Sequence, residues 1–232
     1  MAQAALRGAS AARPFTEEAD RDRGLCGTSM KPSEQRHLAG IRAELGRVLR
    51  YDDESIVHDT WVRQRYDCGC FPSLMPARKA AVAAAWHEAG HAVAALEIGA
   101  RFSSASIHHS CASEGRVHGI RGGGDLAFVI DAAGQIAERL MGWTMLERDD
   151  ELRAWLAAWK GDGGDARRFR RALGSRFGGD ELRAWRYSEE TLAPLRLTIA
   201  QVARALLVHP RYLPHSVVAA LAAQDPAPRG GR

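Results

Sequence analysis

Cysteine is scarce. Cys26, Cys68, Cys70 and Cys111 are the four in 232 residues, and their spacing fits neither a disulfide framework nor a paired Cys-x-x-Cys zinc site. Free thiols in a reducing compartment are expected. Also missing is any charge-free stretch of about 18 apolar residues: the most apolar region, 80–100, carries His87, Glu88, His91 and Glu97, so no membrane-spanning helix is expected. Residues 1–14 lack the apolar segment of a secretory signal, and a cytoplasmic location is the expectation. Nor does charge of one sign dominate. Lys and Arg number 32 against 28 Asp and Glu, and 29 of the 32 are arginines interspersed with acidic residues. The pI of 9.1 thus reflects a small excess, which implies a surface laced with ion pairs and no nucleic-acid partner. There is no Gly-x-x-x-x-Gly-Lys-[Ser/Thr] phosphate loop: Gly122-Gly123-Gly124 reads as a turn, and ATP is not expected. No internal repeat is present.

What is there belongs to an ordinary globular protein, 46% hydrophobic and 26% charged, with one main domain and flanking segments. Residues 1–32 have no apolar periodicity and read as disordered, with Met30 a candidate start just before the first pattern. Residues 33–75 read as a helical extension that packs on the main domain or engages a partner. Its first helix is capped by Ser33 and carries Leu38, Ile41, Leu45, Val48 and Leu49; a second spans 56–66, and Cys68-Gly69-Cys70 with Pro72 and Pro76 marks a connection. The main domain covers 76–223, before a disordered tail at 224–232. It opens with a long helix from Pro76 to Glu97 that stops near Gly99, followed by two short strands at 103–109 and 115–120. A strongly patterned helix begins at Asp125 and repeats Leu126, Val129, Ile130, Ala133, Ala137, Leu140 and Met141 at three- and four-residue steps. Further helices are predicted near 145–159, 165–174, 180–190, 194–208 and 214–223. The fold class is mainly α with a small β element (α+β), its chemistry on a central helix. Trp86, Trp143, Trp155 and Trp159 read as core.

That chemistry lies in His-Glu-Ala-Gly-His at 87–91. On a helix the four-residue step puts His87 and His91 on one face, where both imidazoles can hold one metal ion. Glu88 is rotated from them by roughly 100°, which lets it reach a metal-activated water as general base without itself being a ligand. With nine His and fourteen Glu in the chain, chance would produce this pattern roughly 0.02 times, so coincidence is a weak rival. Gly90 costs about 1 kcal/mol relative to Ala inside a helix, which asks for another backbone or a substrate close by. A catalytic zinc site needs a third protein donor, and spacing alone does not select it.

The segment His-Glu-Ala-Gly-His-Ala at 87–92 resembles the active-site helix of the FtsH-like zinc metallopeptidases. Residues 105–108 followed by Gly115-Arg116-Val117 look like the strand pair after that helix, and Ala-Gly-Gln-Ile-Ala-Glu at 133–138 is similar to the family's Gly- and Ala-rich helix. Gly-Asp-Gly-Gly-Asp-Ala-Arg-Arg at 161–168 resembles the loop and helix start that deliver an aspartate to the metal. The resemblance covers about 77–223 and implies a Zn2+ metalloendopeptidase in which Asp165 is the third ligand. Asp165 also fits a simple helix N-cap, with Asp162 and His118 as reserve ligands. Glu138 is a candidate for orienting one zinc-binding imidazole, or for a surface ion pair. His108, His109, Cys111 and His118 cluster near the strands, but their spacing matches no familiar metal site. The membrane helices and ATPase module of full-length family members have no counterpart here. The expected substrates are therefore peptides or unfolded protein segments, and the expected assembly a monomer or small oligomer. The alternative reading is a catalytically silent module in which a metal stabilises a binding or regulatory surface.

Overall fold

Residues 30–48, 53–57, 77–107, 115–142, 148–159, 164–173 and 177–224 are those described by the computed structural model, and they are mostly helical with one small antiparallel sheet. The mainly α class with a small β element is thus observed. The four cysteines, Trp143 and most of both segments expected to be disordered lie outside the described residues.

Helix α1 (Pro32–Val48) starts earlier than Ser33 would allow as its cap. The Lys31 carbonyl accepts the first helical bond from Gln35 at 3.0 Å, and the Glu34 carboxylate turns back to accept the Lys31 N–H at 3.0 Å. Lys31 is therefore the capping position and Pro32, which has no N–H to satisfy, fills the first helical site. A short helix, α2 (Asp53–Ile56), ends where the second helix was expected to begin, and Val57 already lies outside it; the expectation for 58–66 lies outside the described residues.

Helix α3 (Ala77–Glu97) is alanine-rich and buried on nearly every side, with Ala81, Ala85, Ala89, Ala92, Ala94 and Ala95 fully inaccessible. A helix apolar all round must lie inside the fold. It ends as predicted: Gly99 takes φ 74°, and Ala100 donates to Ala95 O at 2.8 Å while Gly99 donates to Leu96 O at 3.1 Å. This left-handed closure satisfies carbonyls the helix would otherwise leave open, and glycine enters it without steric cost.

Strands β1 (Ser104–Ser106) and β2 (Arg116–His118) lie within the two predicted ranges and pair antiparallel, with Ala105 opposite Val117. A third strand, β3 (Leu213–Pro214), pairs on the other side of β1 and gives the order β2-β1-β3. Sequence reading assigned Pro214 to a helix, because two residues are too few to show alternation.

The remaining helices follow the predicted order: α4 (Ala127–Leu140), after a 3-10 turn at Gly124–Leu126, then α5 (Asp149–Ala158), α6 (Asp165–Ala172), α7 (Glu181–Leu192), α8 (Arg196–Val208) and α9 (His215–Ala222). Helix α3 packs chiefly between α4 and α8, and α4 carries α6 and α7 on its other side. Helix α1 packs on α8 and α9 through Leu38, Ile41 and Leu45, while α2 rests on α3 and α8. Trp86 is buried and its indole N–H reaches Asp53 Oδ2 at 3.3 Å, with Arg204 on the other oxygen at 2.8 Å. Trp155 and Trp159 stack at 5.5 Å against the fully buried Trp185.

The α3–α4 crossing is close because of Gly90. A methyl group there would lie 2.4 Å from Ala133 O and 2.6 Å from Ala137 Cβ, so the backbone approach that this glycine implied is that of α4. The helical run Glu181–Val208 is long and apolar enough by composition to cross a membrane. In the fold its α8 part buries Ile199, Val202, Ala203, Leu206 and Leu207 and packs on α3, as a core helix does.

Candidate metal centre

One helical turn brings His87 and His91 side by side on α3, with ring centroids 4.7 Å apart and Nε2 atoms 3.0 Å apart. Their other nitrogens determine what those Nε2 atoms are. His91 Nδ1 lies 2.6 Å from the Ile130 carbonyl, which can only accept, so Nδ1 carries the hydrogen. His87 Nδ1 lies 2.6 Å from Glu138 Oε1, and a carboxylate likewise accepts. In the neutral rings both Nε2 atoms therefore present lone pairs to each other. Asp165 Oδ2 adds a third electron-rich atom, 3.3 Å from His87 Nε2 and 3.5 Å from His91 Nε2.

Three acceptors converging in this way repel unless a positive charge lies among them. The electrostatics agree. Burial alone would lower the His87 pKa, but the Asp165 and Glu138 carboxylates, which accept hydrogen bonds from the protonated ring, outweigh it and raise the group from 6.5 to about 10. Burial alone would raise Asp165, yet His87 and His91 hold it well below the usual carboxylate range. Without another cation the cluster retains a proton. Two imidazole nitrogens and one carboxylate oxygen, all within 4.8 Å of one another, are equally the donor set of an open zinc site, and these residues fit that ion.

The placement of Asp165 removes the simpler of its two predicted roles, that of helix N-cap. It is the first residue of α6, behind Gly164, which occupies the N-cap at φ 88°. The Asp165 carboxylate is thus not a helix cap and faces the two histidines. Its other oxygen, Oδ1, accepts a hydrogen bond from Arg168 Nη2, and Arg168 Nε donates to Asp131 Oδ1 at 2.9 Å. Glu138 faces His87 rather than a surface cation, and it also accepts from Gln135 Nε2 at 3.3 Å.

Glu88 is only 8% exposed. Burial raises its pKa, while the neighbouring His91 and His87 pull it down. No described residue hydrogen-bonds to its carboxylate, and a buried, unpaired carboxylate beside a cation site is a group available for proton transfer. Gly115 covers it: a methyl group at that position would lie 2.5 Å from Glu88 Cγ and 2.9 Å from Oε1. Gly134 does the same for His87, where a methyl group would lie 2.4 Å from Nε2.

His118, a reserve ligand, faces Ser106 Oγ at 3.2 Å and takes no part in the cluster. Asp162, His108, His109 and Cys111 lie outside the described residues. Sequence reasoning missed Gly134, Gly115, Arg168, Asp131 and the Ile130 carbonyl. Of these only Gly134 left a signal, a glycine in the middle of a predicted helix. Compared with protein-family models, with curated proteins and with solved structures, the chain matches none.

Proposed function

We propose that the chain is a zinc-dependent metalloendopeptidase of the FtsH-like kind, acting on peptides or unfolded segments. The observation that carries this reading is the convergence of His87, His91 and Asp165 next to the buried Glu88, whose carboxylate has no hydrogen-bond partner among the described residues. His87, His91 and Asp165 would hold the ion, with Glu138 and the Ile130 carbonyl keeping both imidazoles turned Nε2-inward. A bound zinc ion supplies Lewis acidity, which lowers the pKa of a water toward neutrality and polarises a carbonyl. Glu88 takes the proton from the attacking water, and its burial makes it a stronger base than a surface glutamate. It then returns that proton to the departing amine, so one carboxylate serves as base and acid.

Three protein donors among the described residues favour catalysis over the silent binding module, because structural zinc sites are closed by four and have no use for a base. Glu88→Gln is expected to keep one zinc per chain while peptide cleavage falls at least about 100-fold. Metal analysis alongside cleavage of an unstructured peptide tests this, and undiminished cleavage by the variant would refute the mechanism. The substrate class is tested separately: cleavage of a stable folded protein as fast as its denatured form would contradict it.

A further inference from the structure

We infer that Arg168, anchored by Asp131, is a positioning residue that restricts Asp165 to a single metal-facing oxygen. The inference rests on the proposed metal site. A carboxylate can meet a cation through one oxygen or through both, and a two-oxygen grip would fill the coordination position that a substrate carbonyl or water requires. Here the two oxygens are kept apart. Oδ2 faces His87 Nε2 and His91 Nε2 at 3.3 and 3.5 Å, whereas Oδ1 is engaged by Arg168 Nη2. The guanidinium is held in turn, since its Nε donates to Asp131 Oδ1 at 2.9 Å.

Asp131 belongs to α4 and Arg168 to α6, so the bond ties the helix carrying Asp165 to the helix that positions both histidines. The charges explain why two residues are needed. A lone guanidinium beside the centre would oppose a dication, and the Asp131 carboxylate, with only 13% of its side chain exposed, cancels that charge. A lysine would not substitute, because an ammonium lacks the fixed fork that spans two carboxylates on different helices.

The test uses the full chain loaded with Co2+, whose visible absorption is intense at four-coordinate sites and weak at five- or six-coordinate ones. The wild-type chain is expected to give the intense spectrum. Arg168→Gln and Arg168→Lys should lower the intensity several-fold as Oδ1 joins the ion, and zinc affinity from chelator competition should fall about 10–100-fold. Asp131→Asn, which is nearly isosteric, should shift both readings in the same direction even if an Arg168 variant folds poorly. Unchanged spectra and zinc affinity in folded variants would overturn the inference while leaving the metal site intact. Failure of the wild-type chain to bind either metal would remove the site and the inference together.

Discussion

At position 134 the difference between glycine and alanine is one methyl group, which would sit 2.4 Å from His87 Nε2. At position 115 the same methyl would sit 2.5 Å from Glu88 Cγ. Neither residue has a positive φ, so glycine is present for space and not for backbone shape. The two substitutions should therefore separate holding the metal from using it. Gly134→Ala is expected to weaken zinc binding about 10–100-fold by turning the His87 ring. Gly115→Ala should leave zinc affinity unchanged and reduce turnover, because it displaces the base alone. Zinc titration and peptide cleavage on both proteins check this, and equal losses of zinc would refute the division. His87, Glu88 and His91 were legible because helical spacing puts them on one turn. Asp165 required a family likeness, since 78 positions separate it from His87. Arg168 and the Ile130 carbonyl were illegible because an arginine among arginines, or a main-chain oxygen, has no pattern until the chain folds.

Helix α4 supplies none of the three proposed ligands, yet its groups bear on all of them. Its Ile130 carbonyl holds His91, Asp131 reaches Asp165 through Arg168, and Gly134 and Glu138 seat His87. This depends on the short α3–α4 separation at Gly90. Helix propensity alone predicts that Gly90→Ala stabilises the protein by about 1 kcal/mol. The structure predicts the opposite sign, a net loss of about 1–3 kcal/mol, because the new methyl would meet the Ala133 carbonyl at 2.4 Å. Urea denaturation of the metal-free protein decides between them. Most helices and the first two strands were readable from apolar periodicity and glycine breaks. The exceptions have local causes: the Lys31 cap works through its backbone and Glu34, so a preference for Ser at caps pointed to the wrong residue. Strand β3 is defined by pairing with β1 and by nothing in its own two residues.

For the protein as a folding unit, pH and metal should be linked. In the metal-free chain the His87 pKa is raised from 6.5 to about 10. A raised folded value favours the folded state fully below 6.5, and that contribution is lost as pH climbs through about 10. The melting temperature of chelator-treated protein should fall across that window, and a His87→Gln variant should show a shallower fall. Zinc binding at the proposed site would displace the same proton. Its apparent affinity is expected to rise roughly tenfold per pH unit for one proton released, until His87 is neutral. An affinity independent of pH between 6.5 and 9 would contradict that coupling.

His87 and Asp165 stand 78 positions apart, and the chain between them contains the β2 edge, α4 and α5. An ion gripped from both ends closes that excursion into a ring, much as a covalent cross-link would, and so narrows the states open to the denatured chain. Chelation would then do more than stop the proposed hydrolysis. It would unfasten the clasp between α3 and α6, so the same ion would also govern how readily the protein itself unfolds.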